Sequence, residues 1–411
     1  GIEPDSNVPA PGIQPMAATA PTLHAEPHAL TSDQPFLFSV KVPEGNFRVT
    51  VTLGDSQAAA TTTVKAEARR LMLEEVPTAA GAAATRSFVV NVRQPQIAGT
   101  KEEVQLDPRE PGSLTWDDKL TLSFSGTHPS LQRVEVHKVD LPTLFLCGDS
   151  TVTDQPREPY GTWGQMLPRF FNEQLAVANY AESGETLKAF AFENRWKKVM
   201  SLVKPGDFVF LQFGHNDLNK TGTNAMWPAD KPSGQWANTY SEAMGDYKKL
   251  LEQYAGEIKA KGATPVIVSP MTKVDLRAGT VNAQGLRDYP EAAVAAAKEA
   301  GVACIDLHAM SVTLANALGT DAVKKAYVEG LHSTSYGGYL FARCIVEGIR
   351  KDHLPLEKFL AADAGTFDPA HPAPLPEAFH LPVEPTPPRP AFGGRGRGAT
   401  SPSTLPRTNP F

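Results

Sequence analysis

Ser150, Asn216 and His332 are the residues of this 411-residue chain whose types and settings could together break an ester. Ser150 follows Leu144-Phe145-Leu146-Cys147, an apolar run too short for a helix that reads as a buried strand, and Gly148 lets the backbone turn sharply after it. A hydroxyl at the carboxyl end of a strand in an α/β sheet stands where ligands bind, which makes Ser150 a candidate nucleophile. On its own Gly-Asp-Ser is equally a turn that caps the next helix. Asn216 stands in a matching place, past the apolar run Phe208 to Phe213 and Gly214, and His332 precedes an apolar-periodic helix. Ester hydrolysis by serine requires a base, a group that orients the base, and donors aimed at the developing oxyanion. An imidazole, with an unperturbed pKa of about 6.5, can take the serine proton and return it to a leaving alcohol near neutrality.

Four stretches occur in chain order: Gly148-Asp149-Ser150-Thr151-Val152, Asn179-Tyr180-Ala181-Glu182-Ser183-Gly184-Glu185-Thr186, Gly214-His215-Asn216-Asp217, and Glu329-Gly330-Leu331-His332. This set resembles the four blocks of the SGNH (GDSL) hydrolase superfamily. Within it, the first and third blocks look like those of the rhamnogalacturonan acetylesterases of carbohydrate esterase family 12. The resemblance covers roughly residues 143–352. It implies Ser150 as nucleophile, His332 as base in preference to His215, and an oxyanion hole made by the N–H groups of Ser150 and Gly184 with the Asn216 amide. Glu329 stands where the family has aspartate in an Asp-x-x-His pattern. Glutamate can orient an imidazole from one methylene further back, completing a triad, or it can be a solvent-facing residue in a dyad enzyme whose His332 is held by a backbone carbonyl. Asp149 and Asp217 are read as structural, bonding to turn backbone.

Such blocks need strands to carry them. From Leu141 strands and helices alternate: helices are expected near residues 163–173, 239–261, 291–300, 308–318 and 336–350, between apolar strands at 144–147, 208–213, 265–269 and 303–307. The expected fold is a three-layer α/β/α SGNH-hydrolase-like domain with a parallel sheet over residues 141–360. Before it, short runs at 36–42, 47–53, 61–73, 86–92, 119–124 and 131–139 alternate apolar and polar residues between Gly and Pro clusters. They indicate an antiparallel β-sandwich of jelly-roll or galactose-binding type over residues 35–140. Such a domain either binds sugar or buttresses its neighbour, and Trp116 is either a sugar platform or an interface plug. Residues 1–34 read as a Pro- and Ala-rich arm, and 361–411 as a Pro-rich tail able to lie extended along a surface.

Substrate contacts are expected from the polar connection 218–236, whose Trp227 and Trp236 can stack on sugar rings, and from Trp163 and His215 beside the blocks. Tyr160 could stack likewise, and Trp163 could instead be core. Nothing near the blocks forms the long apolar groove of a lipase. The expected function is therefore a serine esterase removing O-acetyl groups from a plant cell-wall polysaccharide, rhamnogalacturonan or pectin, through an acetyl-enzyme. The rivals are an acetylxylan or short-chain lipase-like esterase, and a non-catalytic glycan-binding protein with a degraded triad. No metal or cofactor is expected, since the three cysteines show no metal spacing and read as buried packing residues.

A net charge of -6 gives no pull toward nucleic acid or anionic membrane, and the Arg-Gly run 393–398 reads as a solvated tail. No apolar run approaches the roughly 18 residues of a membrane span, so a soluble protein is expected. No signal peptide is visible after Gly1, which reads as a targeting segment removed or trimmed, so the sequence permits export without showing it. Polymeric wall glycans do not enter a cytoplasm, so a secreted or periplasmic location follows from the substrate.

Overall fold

The computed structural model describes residues 2–3, 30–218 and 239–382. Period-two alternation in the first third builds strands β1 (Ile2–Glu3), β2 (Leu30–Thr31), β3 (Phe36–Lys41), β4 (Gly45–Leu53), β5 (Ala60–Ala66), β6 (Arg70–Thr78), β7 (Ala84–Val92), β8 (Lys119–Thr127), β9 (Ser130–Leu131) and β10 (Arg133–Val139). They form an antiparallel five-stranded sheet in the order β1-β3-β8-β5-β6 and a three-stranded sheet β10-β4-β7, with β2 paired to β9. Phe47, Val49, Val51 and Leu53 point inward from β4 and share one core with Leu120, Leu122 and Phe124 of β8. Each such side chain contributes about 1.5–3 kcal/mol by leaving water.

One expected strand is divided. The run 61–73 is a hairpin: β5 and β6 are joined by Glu67-Ala68-Arg69, with Glu67 at φ 55° and Arg69 at φ 67°. No Gly, Pro, Asn or Asp marks the turn, which is why alternation alone reads straight through it.

The second half is a parallel sheet of β11 (Thr143–Gly148), β12 (Ala176–Asn179), β13 (Phe208–Gln212) and β14 (Thr264–Val268), with a small antiparallel pair β15 (Val274–Asp275) and β16 (Thr280–Val281) outside it, and β17 (Ala303–Ile305) at its edge. The strand order is β12-β11-β13-β14-β17. Its helices are α1 (Trp163–Met166), α2 (Leu187–Phe192), α3 (Arg195–Leu202), α4 (Lys248–Ala260), α5 (Tyr289–Ala300), α6 (Leu307–Ala326) and α7 (Ser335–Lys351). Strand residues serve the two faces alternately: Leu144, Leu146, Phe208, Phe210 and Val266 pack with α1, α6 and α7, and Phe145, Cys147, Val209, Leu211 and Ile267 pack with α2 to α5. The fold is thus α/β/α behind a β-sandwich. Helix α1 ends earlier than expected, passing into a 3-10 turn at Leu167–Phe170 around Pro168, and α4 starts only after a wide π-type turn at Ala243–Tyr247. Strand β12 and helices α2 and α3 lacked a period long enough to predict.

The two sheet systems meet through side chains. Trp116 is buried between Arg93, whose guanidinium lies 4.8 Å from its ring, and Tyr180, 5.6 Å away edge-on, in the core that covers β11. It is an interface plug. Residues 361–382 run along α7, where Arg343 donates to the Ala373 and Thr366 carbonyls at 2.6 Å and Phe379 packs on Tyr336 and Tyr339. Cys147 and Cys344 are buried and free, and Cys304 is only half-buried. Among the described residues no helix is long and apolar enough to cross a membrane.

Candidate active site

In the strand order found here the sheet reverses direction of growth between β11 and β13, and the crevice at the carboxyl ends of such a strand pair is where open α/β sheets bind ligands. Gly148 and Gln212 are register partners at that point. A Cβ on Gly148 would lie 2.6 Å from the Gln212 carbonyl oxygen and 2.7 Å from a Val152 methyl, so only glycine permits the approach. The chain then folds over Asp149, whose Oδ1 accepts from Thr151 N at 2.9 Å and Thr151 Oγ1 at 2.8 Å, and Ser150 is presented at the rim.

His332 arrives from the opposite side in a tight loop. Val328 N donates to the His332 carbonyl at 2.8 Å, Val274 N donates to the Gly330 carbonyl at 2.8 Å, and Thr334 caps α7 by accepting from Gly337 N at 3.2 Å. His332 Nε2 lies 2.7 Å from Ser150 Oγ. On the other side of the ring, Nδ1 contacts Glu329 Oε1, which also accepts from His332 N at 3.1 Å. A carboxylate only accepts, so Nδ1 carries the proton and Nε2 is left to receive the serine O–H. Ser150, His332 and Glu329 are therefore brought together as a chain of hydrogen bonds, and among the described residues a carboxylate, not a backbone carbonyl, holds the imidazole.

The candidate oxyanion donors line the same cavity as the imidazole. Gly184 adopts φ 85°, and among the described residues neither its N–H nor that of Ser150 makes a hydrogen bond. Asn216 Nδ2 donates one hydrogen to the Glu185 carbonyl at 3.1 Å, and the amide lines the same cavity as Ser150 and Gly184. Asp217 fixes this wall by accepting from Gly214 N and Leu187 N, both at 3.0 Å; burial pushes its carboxyl up to about 7. Burial also raises Asp149, but His215 and the two bonds from Thr151 outweigh it and hold that carboxyl below its ordinary range. The arrangement can activate a hydroxyl, orient the base and receive an oxyanion.

The cavity holds about 350 Å³. Among the described residues Leu331 is the one aliphatic side chain in its lining, beside Tyr160, whose ring meets the His332 ring edge-on at 5.8 Å. Two residues expected at substrate are elsewhere. His215 is wholly buried, with Nδ1 2.9 Å from Asp149 Oδ2 and Nε2 2.9 Å from the Met271 carbonyl, so it props the nucleophile turn from below. Trp163 is buried in the core and donates Nε1 to Gln212 Oε1 at 2.8 Å. Trp227 and Trp236 lie outside the described residues.

Sequence reasoning missed Arg109, from the long connection between β7 and β8, which lines the cavity. It donates Nε to Glu182 Oε1 at 2.9 Å and a terminal N–H to the Ser183 carbonyl at 2.5 Å, and it faces Asp107 at 3.1 Å. Burial pushes the Glu182 carboxyl up to about 8. Behind it Glu110 forms a two-point pair with Arg195, at 3.0 and 2.6 Å, which also meets Glu193. Among the described residues no group of three His, Cys, Asp or Glu side chains is placed to hold a metal ion.

Residues 146–337 match the model of the GDSL-like lipase/acylhydrolase family. The chain is 30% identical over 239 residues to the rhamnogalacturonan acetylesterase RhgT of Bacillus subtilis, covering 54% of this chain and 95% of that protein. It is 25% identical over 213 residues to a rhamnogalacturonan acetylesterase of Emericella nidulans, covering 50% of this chain and 84% of the relative. The crystal structure of YxiM from Bacillus subtilis is similar over 78% of this chain and 81% of that one, with a TM-score of 0.45 and 23% identity. The four blocks, their meeting at the sheet's reversal point and the near-complete coverage of an acetylesterase relative lead to one assignment: the chain belongs to the GDSL-like lipase/acylhydrolase (SGNH) family of carboxylic ester hydrolases.

Proposed function

We propose that this protein removes O-acetyl groups from rhamnogalacturonan or a related pectic polysaccharide through an acetyl-enzyme, and that it works outside the cytoplasm, in the secreted or periplasmic space where such polymers are met. The observation that carries the mechanism is the 2.7 Å contact between Ser150 Oγ and His332 Nε2 with Glu329 behind the ring. Ser150 Oγ attacks the acetyl carbonyl carbon as its proton passes to Nε2, and Glu329 stabilises the imidazolium. The carbonyl oxygen becomes an oxyanion facing the N–H groups of Ser150 and Gly184 and the Asn216 amide. Collapse breaks the bond to the sugar oxygen, which leaves as a hydroxyl with the proton from His332. Water then attacks the acetyl-serine with the same base, and acetate departs as Ser150 recovers its hydrogen.

Three features support this substrate. A small cavity with a single aliphatic lining residue among the described residues suits a short acyl group on a sugar better than a fatty chain. Relatives named rhamnogalacturonan acetylesterases match 239 and 213 residues of this chain. The Arg109 guanidinium stands in the cavity wall with part of its surface open, held by Glu182, Asp107 and the Ser183 carbonyl. A cation there suits a uronate-bearing glycan over neutral xylan.

The test is acetate release from acetylated rhamnogalacturonan, acetylated homogalacturonan and acetylated xylan, with Ser150→Ala as the blank. Preference for rhamnogalacturonan supports the reading. Preference for xylan, or release unaffected by Ser150→Ala, overturns it. Location is tested by fractionating cells that express the native gene; activity confined to the cytoplasm refutes the extracellular part.

A further inference from the structure

The β5–β6 turn of the sandwich reaches across to the hydrolase half at three consecutive residues. The Ala68 carbonyl accepts from Gln165 Nε2 at 2.7 Å, and Arg70 donates Nε to Asp154 Oδ2 at 2.8 Å. Between them the Arg69 guanidinium, with a side chain 8% exposed, enters the loop that follows Ser150. One terminal nitrogen donates to the Gln155 carbonyl at 3.1 Å and to the Tyr160 carbonyl at 2.7 Å. The other donates to Ser335 Oγ at 3.1 Å and pairs with the Glu158 carboxylate, which itself accepts from Ser335 Oγ at 2.9 Å.

Two of these partners, Gln155 and Tyr160, are one step from the catalytic pair. Gln155 Nε2 donates to the Ser150 carbonyl at 3.1 Å. Tyr160 contacts the His332 ring edge-on and forms a β-bridge with Thr334. Gly161 N donates to the Ser333 carbonyl at 3.0 Å and Ser333 Oγ donates to the Gly161 carbonyl at 2.7 Å, so the loop held by Arg69 is stitched to the residue after His332. Ser335 opens α7. Glu67 and Arg69 hold left-handed backbone conformations that cost roughly 1–2 kcal/mol each for non-glycine residues, and such outliers persist where the surroundings over-determine them.

We propose that Arg69 is a positioning residue for ester hydrolysis: its guanidinium locks the 155–160 loop to the start of α7 and so sets the distance between Ser150 and His332, making the sandwich a structural part of the active site. This rests on the assignment of Ser150 and His332 as the reacting pair. A planar fork is needed, because one point charge cannot serve two carbonyls, a hydroxyl and a carboxylate in these directions.

The experiment compares Arg69→Lys with native protein on p-nitrophenyl acetate, alongside the His332 ring-proton NMR resonances. Loss of the fork should lower kcat about 10- to 100-fold, the scale of a small misplacement of reacting groups, with KM changed less than about twofold, and should shift the His332 resonances. Arg69→Lys that keeps native near-ultraviolet circular dichroism, native kcat and native His332 resonances overturns the proposal. If Arg69→Lys does not fold, Glu158→Gln combined with Ser335→Ala releases the same lock with Arg69 in place, and native kcat in that variant overturns it equally. Should native protein hydrolyse no ester, the assignment of the reacting pair fails, while the His332 resonances still decide whether Arg69 sets the imidazole.

Discussion

Glu329 and His332 are joined twice within one turn: a single carboxylate oxygen accepts from the backbone N–H of His332 and from its ring Nδ1. The double contact explains how glutamate serves where an aspartate is usual, since the extra methylene is taken up by folding the side chain back over its own loop. Glu329→Gln keeps the shape but can present N–H to Nδ1, favouring the wrong tautomer. It is expected to lower kcat on p-nitrophenyl acetate by about 10²- to 10⁴-fold. Retention of kcat within a few-fold would mean that the imidazole is oriented by something else.

Ser150 and His332 act as one unit if the proton moves between them. Ser150→Ala and His332→Ala should each remove on the order of 10⁶ in kcat, and the double variant should be no worse than either alone. Steady-state rates of the three variants decide the matter. A double variant much slower than both singles would show two independent contributions.

Asn216 is the side-chain donor of the proposed oxyanion hole, and an amide stabilises negative charge without titrating. Asn216→Ala should cost about 10²- to 10³-fold in kcat with KM nearly unchanged, because the bond strengthens only as charge develops on the oxygen. A rise in KM at constant kcat would move Asn216 from the transition state to ground-state binding.

Arg109 separates substrates. With Arg109→Gln, kcat/KM on acetylated rhamnogalacturonan should fall by about tenfold or more, as expected for a lost charge-assisted contact of about 1.5–3 kcal/mol. Turnover of p-nitrophenyl acetate, which has no carboxylate, should fall less. Equal losses on both substrates would make Arg109 a support for the Ser183-Gly184 backbone alone.

What the sequence made legible follows from how local each signal is. Strand-to-glycine turns at Gly148 and Gly214 are encoded within a few residues, so the strand-end positions of Ser150 and Asn216 are legible in the sequence. Long helices with a clear apolar stripe, such as α5 and α7, were read within a few residues of their observed ends. His215 and Trp163 were misread as substrate contacts because residue type does not reveal which way a side chain faces. His215 turns down between Asp149 and Met271, and Trp163 turns into the core toward Gln212. Arg69 and Arg109 were invisible for a different reason. Their roles depend on contacts between segments tens of residues apart, and the Glu67-Ala68-Arg69 turn carries none of the residues that usually announce one.

That same turn contributes to how stability changes with pH. Glu67 is buried, its Oε1 accepts from Thr121 N at 3.0 Å, and its Oε2 has no hydrogen-bond partner among the described residues. A neutral carboxyl tolerates this setting and a carboxylate does not: burial pushes the group up to about 8, against the opposing pull of Arg70. A carboxyl raised on folding contributes stability that is complete below its unfolded pKa of about 4.5 and is lost as pH rises through about 8. The native protein should therefore melt at a lower temperature at pH 8.5 than at pH 5. Glu67→Gln keeps the acceptor for Thr121 and cannot ionise, so it should melt close to native at pH 5 and above it by several °C at pH 8.5, the scale of a few kcal/mol. Asp217 and Glu182, raised by burial to about 7 and 8, retain their own pH dependence in that variant, so the decline should narrow without vanishing. Melting curves of both proteins from pH 5 to 8.5 test this, and a difference between them that stays constant across the range would mean that Glu67 is ionised in the fold.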